Sequence, residues 1–186
     1  AMRQLTTEGL NDRPAWSPNG RNIAFHSTRD NNQDIYILDL EEGVESRLTR
    51  HPDRDLSPSW SPVGNDILFT STRDGGGALY AMNLITSVQK RLTDPSVHSY
   101  GPSWSPDGKH CILNASSYDN KDKWIFLLDV NTGGLKLLDR QRDEAWVGYG
   151  GGSGWMPDNK RLWFVSEKSG YMHIYWVNCE TGEKKQ

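Results

Sequence analysis

Five histidines (His26, His51, His98, His110, His173) and two cysteines (Cys111, Cys179) are the side chains best suited to acid–base, nucleophilic or metal chemistry. Their spacing organises none of it. The histidines fall in different parts of the chain, and no Ser-His-Asp set can be picked out by spacing. A hydrolase nucleophile elbow needs G-x-S-x-G. The nearest stretch is GGSGW (151–155), where Trp155 stands at the last glycine. The cysteines lack the C-x-x-C spacing of a metal or redox pair and read as small core side chains. Asp30, Asn32 and Asp34 in DNNQD copy the first half of a calcium loop. The central glycine and distal glutamate are missing, so a turn rich in Asx residues explains them better. The expectation is a chain without catalytic residues, metal or cofactor of its own.

Whatever chemistry remains must be held by repeated elements. Trp16, Trp60, Trp104 and Trp155 recur at intervals of 44, 44 and 51 residues within AWSPNG, SWSPVG, SWSPDG and GWMPDN. Seven residues after each tryptophan come Ile23, Ile67, Cys111 and Leu162, and nine after come Phe25, Phe69, Leu113 and Phe164. Twenty after come Tyr36, Tyr80, Trp124 and Tyr175. Within a copy the apolar period is two, as in NIAFHS (22–27), and DIYILDL (34–40) suits a strand buried on both faces. Pro ends a strand, because it cannot donate to the ladder, and Asp-Gly or Asn-Gly supplies the positive φ of a hairpin. Each copy therefore reads as a four-stranded antiparallel meander of about 44 residues, the size of a propeller blade. The whole chain, 1–186, reads as an all-β β-propeller of four blades, each tryptophan hiding its indole against the next sheet. RQLT (3–6) matches the last-strand signature RLT of residues 47–49 and 91–93 and is expected to complete the fourth blade. Three arrangements satisfy that arithmetic: a closed four-bladed ring, half of an eight-bladed ring made by two chains, or a piece of a larger ring. Closure of some kind is expected, because an open arc exposes sheet edges and an apolar face.

W-S-P-D-G followed by I-x-F-x-S-x-R-D, I-Y-x-x-D and R-x-L-T resembles the TolB-type propeller repeat. The third and fourth copies depart from it, with NASSYD (114–119) and VSEKSG (165–170) standing where HSTRD and TSTRD stand earlier. Residues 154–185, with LLDRQRDEAWVG (137–148) before them, resemble a blade from the propellers of prolyl-oligopeptidase-family serine peptidases of the dipeptidyl-peptidase branch. That resemblance implies a propeller that gates a hydrolase domain and selects peptides by size. Those propellers use paired glutamates to hold a substrate's amino terminus. Asp143-Glu144 is acidic and adjacent without being that motif.

Topology predicts the binding surface. In a meander, the second-to-third hairpin and the blade-to-blade connection emerge on one side. This groups Arg29, Asp30, Arg73 and Asp74 with Asp53, Arg54, Asp55, His98 and Tyr100. Arg142, Asp143, Glu144 and Trp146 come from the longest connection, which carries five glycines between 148 and 154. The repeated Arg-Asp pair equally suits charges that fix the hairpins. The net charge of −3 gives no reason to expect nucleic acid, and no apolar run is long enough for a membrane span. No export signal is visible, and the compartment stays open. The partner expected is a peptide or protein, with a homodimer as one way of completing a ring. A TolB-like interaction module is the second reading and a stand-alone propeller enzyme the third.

Overall fold

The computed structural model describes residues 2–94, 98–144 and 152–186. They form sixteen strands in four four-stranded antiparallel sheets. Blade one is β1 (Asn11–Trp16), β2 (Asn22–Ser27), β3 (Asp34–Asp39) and β4 (Glu45–Arg47). Blade two is β5 (Asp55–Trp60), β6 (Asp66–Ser71), β7 (Ala78–Asn83) and β8 (Gln89–Arg91). Blade three is β9 (His98–Trp104), β10 (Cys111–Ser116), β11 (Asp122–Leu128) and β12 (Leu135–Arg142). Blade four is β13 (Ser153–Trp155), β14 (Arg161–Ser166), β15 (His173–Asn178) and β16 (Lys184–Lys185). In every sheet the strands lie side by side in chain order. The all-β propeller of four-stranded blades is thus the fold.

The tryptophan motif builds the first hairpin through its serine as much as through its turn. Ser17 Oγ accepts the Asn22 N–H at 2.8 Å and donates to Asn19 Oδ1 at 2.7 Å. Ser105 repeats this with the His110 N–H at 2.9 Å and Asp107 Oδ1 at 2.7 Å. Gly20 and Gly108 close the turns at φ 69° and 70°, the left-handed region that favours glycine.

Blades pack face to face with opposite faces in contact. Ile67, Phe69, Tyr80 and Met82 of blade two meet Ala24 and Ile35 of blade one. Cys111, Leu113 and Ala115 of blade three meet Leu68, Leu79 and Leu92 of blade two. Leu162, Phe164, Tyr175 and Val177 of blade four meet Ile112, Ile125 and Leu138 of blade three. Trp60, Trp104 and Trp155 each pack into the seam with the preceding blade. Trp16 is 62% exposed, a correction to the expectation that every indole is hidden. The physical reason is that, among the described residues, no blade packs against that face of blade one. Its Ile23, Phe25, Tyr36 and Leu38 form a cluster of their own. Among the described residues no apolar cluster, hydrogen bond or ion pair joins blade one to blade four, and Ile174 on blade four is 66% exposed. Among the described residues Arg3–Thr6 carries no strand, and β16 pairs with β15 in blade four, Trp176 opposite Lys185.

Candidate functional site

Arg29 and Arg73 occupy the same place in blades one and two, and neither is free to bind. The Arg73 guanidinium lies 4.4 Å from the Tyr80 ring centroid and 5.9 Å from that of Phe69, which stack on each other. It donates to Ser71 Oγ at 2.8 Å, to Gln89 Oε1 at 2.8 Å and to both oxygens of Asp55 at 3.0 and 3.1 Å. Arg29 repeats the stack, 4.5 Å over Tyr36, and pairs with Glu45. Asp30 accepts the Tyr36 hydroxyl at 2.6 Å and Asp74 the Tyr80 hydroxyl at 2.5 Å. The recurring Arg-Asp pair is therefore a clamp that locks the second hairpin onto its own sheet. Asp30, Asn32 and Asp34 serve three different partners, with Asn32 donating to the His51 carbonyl and Asp34 accepting from Arg47.

The clamp has a titration signature. Burial, then the hydrogen bond to Asp30, pushes the Tyr36 phenol up to about 12. A phenol whose folded pKa exceeds its unfolded value of about 10 contributes stability that is complete below 10 and lost as pH rises through 12. Tyr36→Phe is expected to remove one late-ionising phenol from the alkaline absorbance titration at 295 nm. An unchanged number of late phenols would show that Tyr36 ionises with the exposed ones.

Blade three lacks the clamp, and a cleft opens there. Ser117 and Tyr118 stand where Arg29–Asp30 and Arg73–Asp74 stand. At the inner end of the blade, Ser99 stands where Asp55 receives Arg73. The cleft encloses about 810 Å³ and is lined by residues of all four blades. Arg13, Ser57, Gly101 and Gly152, each three residues before its tryptophan, all border it. The first three carry positive φ of 53°, 52° and 61°. The pairing of β1, β5 and β9 with their neighbours shifts register there. These bulges bend the innermost strands around the cleft.

Asn114, Ser116, Lys123, Ile125 and Gln141 form the wall on blade three, and Phe164 and Val165 the wall on blade four. By strand register Ile125, opposite Asn114, is the counterpart of Ile35 and Leu79, and Lys123 lies two residues nearer the hairpin, opposite Ser116. Burial lowers its pKa and Glu167 partly opposes this. The wall reaches far because β12 runs for eight residues where the outer strands of blades one and two have three. The seam around the cleft is fastened by polar contacts. Gln141 donates to the Val165 carbonyl at 3.2 Å, Trp155 Nε1 to the Ser103 carbonyl at 3.1 Å and Lys136 to the Cys179 carbonyl at 2.9 Å. Gly154 lets Trp163 lie against β13, since a Cβ there would stand 2.7 Å from the indole nitrogen.

His98 and Tyr100 belong to the cleft. His98 Nδ1 accepts the Gly77 N–H at 3.1 Å, which places the proton of the neutral ring on Nε2. Its ring lies about 6 Å from those of Tyr100 and Tyr118. Arg142 leaves the end of β12 and pairs with Asp122 at 2.7 Å and Glu144 at 3.2 Å. Asp53 lies beside His51 in the exposed connection between blades one and two, next to Arg54. Asp143 donates its N–H to the Lys121 carbonyl at 3.0 Å. Trp146 lies outside the described residues. Arg13, Asn114, Ser116, Tyr118, Lys123 and Gln141 escaped sequence reasoning. The signal that could have found them is the break in the repeat: serine for arginine at 117 and tyrosine for aspartate at 118.

Cys111 and Cys179 are buried and unpaired. Burial pushes their thiols up to about 12 and about 11, far from the range of a reactive thiolate. No helix among the described residues is long and apolar enough to cross a membrane.

Known proteins place this architecture. TolB from Acinetobacter baumannii superposes with a TM-score of 0.74 over 95% of this chain at 26% identity, and the chain spans 43% of that protein. Dipeptidyl peptidase 4 from Porphyromonas gingivalis has a TM-score of 0.67 at 16% identity over 98% of this chain and 33% of its own. The β-propeller domain of the Trilobed protease from Pyrococcus furiosus, described as having an open velcro topology, has a TM-score of 0.65 at 14% identity over 95% of this chain and 56% of its own. At those identities the peptidase propellers share the fold alone. No curated protein sequence matches the chain. The model of the TolB β-propeller domain matches residues 3–147, so the chain belongs to the TolB β-propeller domain family.

Proposed function

We propose that this propeller is a non-catalytic binding module that takes an extended peptide segment of a partner protein into the cleft between blades three and four. The observation that carries the reading is the cleft itself. It opens beside blade three, which has neither the arginine nor the aspartate of the hairpin clamp, and hydroxyls, amides and aromatic rings converge on it. Exposed backbone and side-chain amides of an extended peptide suit Asn114, Ser116 and Gln141, and its apolar side chains suit Tyr100 and Tyr118. In its narrower form, following the resemblance of residues 154–185 to dipeptidyl-peptidase propellers, the bound peptide is a substrate on its way to a hydrolase domain elsewhere in the parent protein.

The test is surface plasmon resonance of the immobilised chain against a panel of unstructured twelve-residue peptides. Some members are expected to bind, and Tyr118→Ala to weaken them about tenfold or more, as truncation of a central aromatic anchor does. Silence across the panel, or indifference to Tyr118→Ala, would overturn the reading. Dipeptidyl reporter substrates are expected to remain uncut.

The uncovered indole of Trp16 and the exposed Ile174 also support completion of the ring by further blades, with a second copy as the simplest source. Light scattering is expected to give twice the 21.1 kDa of the chain. A mass of one chain at all concentrations would end that proposal.

A further inference from the structure

The cleft has a charge that the protein as a whole does not. The chain carries three more acidic than basic residues. The described lining of the cleft contains Arg13, Lys123 and His98 and no aspartate or glutamate. Elsewhere the half-buried cations are spent on partners: Arg29 on Glu45, Arg47 on Asp34, Arg73 on Asp55, Lys184 on Asp139. Neither the Arg13 guanidinium nor the Lys123 ammonium has a hydrogen-bond or ion-pair partner among the described residues. Glu167, the acid that acts on Lys123, does so from beyond ion-pair distance. A half-buried ammonium without a counter-ion is costly unless a ligand supplies one.

We propose that the cleft recognises a carboxylate, with Lys123 as the principal counter-charge and Arg13 of blade one as the second. Lys123 is flanked in the sheet by Ser116 on one strand and Gln141 on the other. Both can donate to a carboxylate oxygen that the ammonium attracts. This deepens and rests on the peptide-binding reading: the segment bound would be one rich in aspartate or glutamate.

Isothermal titration with the capped peptides acetyl-(Glu-Gly)3-amide and acetyl-(Gln-Gly)3-amide tests the idea, since the two differ only in charge. The glutamate peptide is expected to bind at least tenfold more tightly, the range for a hydrogen bond to a charged group, and less so at 300 than at 50 mM salt. Lys123→Met is expected to erase the preference, and Arg13→Gln, at an exposed position, to reduce it. Lys109→Met, in an exposed turn outside the cleft, is expected to keep it. Equal binding of the two peptides, or a preference that survives Lys123→Met in a folded variant, would overturn the carboxylate inference and leave peptide binding standing. Failure of both peptides to bind would overturn the carboxylate inference, and peptide binding falls only if the twelve-residue panel is silent too. Displacement of the glutamate peptide by an equal concentration of inorganic phosphate would assign the site to phosphate esters and overturn the carboxylate.

Discussion

Arg73→Met is expected to destabilise the fold by about 3–5 kcal/mol, the cost of removing one partner from a buried ion pair. Asp55 has a side chain with no exposed surface, and the Arg73 guanidinium supplies both of its described side-chain hydrogen bonds. The methionine keeps most of the apolar stem over Tyr80, so lost packing is a small part of the effect. What remains is a buried carboxylate at the start of β5 with no cation against it. The loss should appear as a fall in the urea midpoint at constant slope. Combining the change with Asp55→Asn should recover a good part of it, because the stranded charge is then gone. A single variant within 1 kcal/mol of the parent, or a double variant no more stable than the single, would show that the clamp is ornamental. Blade three dispenses with the clamp and has Ser99 and Ser117 at the two positions, so acid and arginine are lost together. Blade one, with Asn11 at the acid's position, keeps its arginine by pairing Arg29 with Glu45; in blade three both are gone, and the cleft begins at Ser117.

The sheets were readable from the sequence because their determinants are local. Period-two apolar runs, a proline after the first strand of each blade and an Asx or Gly turn set the strands, and offsets of seven, nine and twenty residues from the tryptophan set the buried face. The pairs Phe25–Tyr36 and Phe69–Tyr80 follow directly from those offsets. The clamp was half readable. The Arg-Asp spacing recurs, yet whether it points to a ligand or to its own sheet depends on Tyr36 and Tyr80 lying across the hairpin. The cleft was least readable, since it is made by residues that a repeat pattern lacks. It also depends on the seam between blades three and four, where Gln141 meets Val165 across twenty-four residues of chain. Nothing in local propensity fixes that separation. His98 and Tyr100 were reachable because topology alone puts the start of β9 on the loop side. Lys123 was hidden in the strand DKWIFLL, where a single cation reads as an ordinary solvent-facing residue.

The same tryptophan should have unequal worth in different blades. Trp155→Ala is expected to cost about 3 kcal/mol, at the lower end for a large aromatic because the ring is only half-buried. In a chain of this size that lowers the midpoint of thermal unfolding by about 6–12 °C. The indole fills the seam with blade three, stacks on His110 at 6.1 Å and donates to the Ser103 carbonyl. All three contacts belong to another blade, so the substitution loosens the joint beside the cleft and should weaken peptide binding as well as stability. Trp16→Ala, at the matching position of blade one, is expected to change stability by less than about 0.5 kcal/mol, as an exposed site does. If a second copy of the chain covers that face, the cost instead becomes dependent on protein concentration. Measuring both variants over a hundredfold range of concentration therefore separates an isolated arc of blades from a completed ring. Equal losses at Trp16 and Trp155 that do not vary with concentration would contradict the packing described for blade one, because they would require a partner for Trp16 within the same chain.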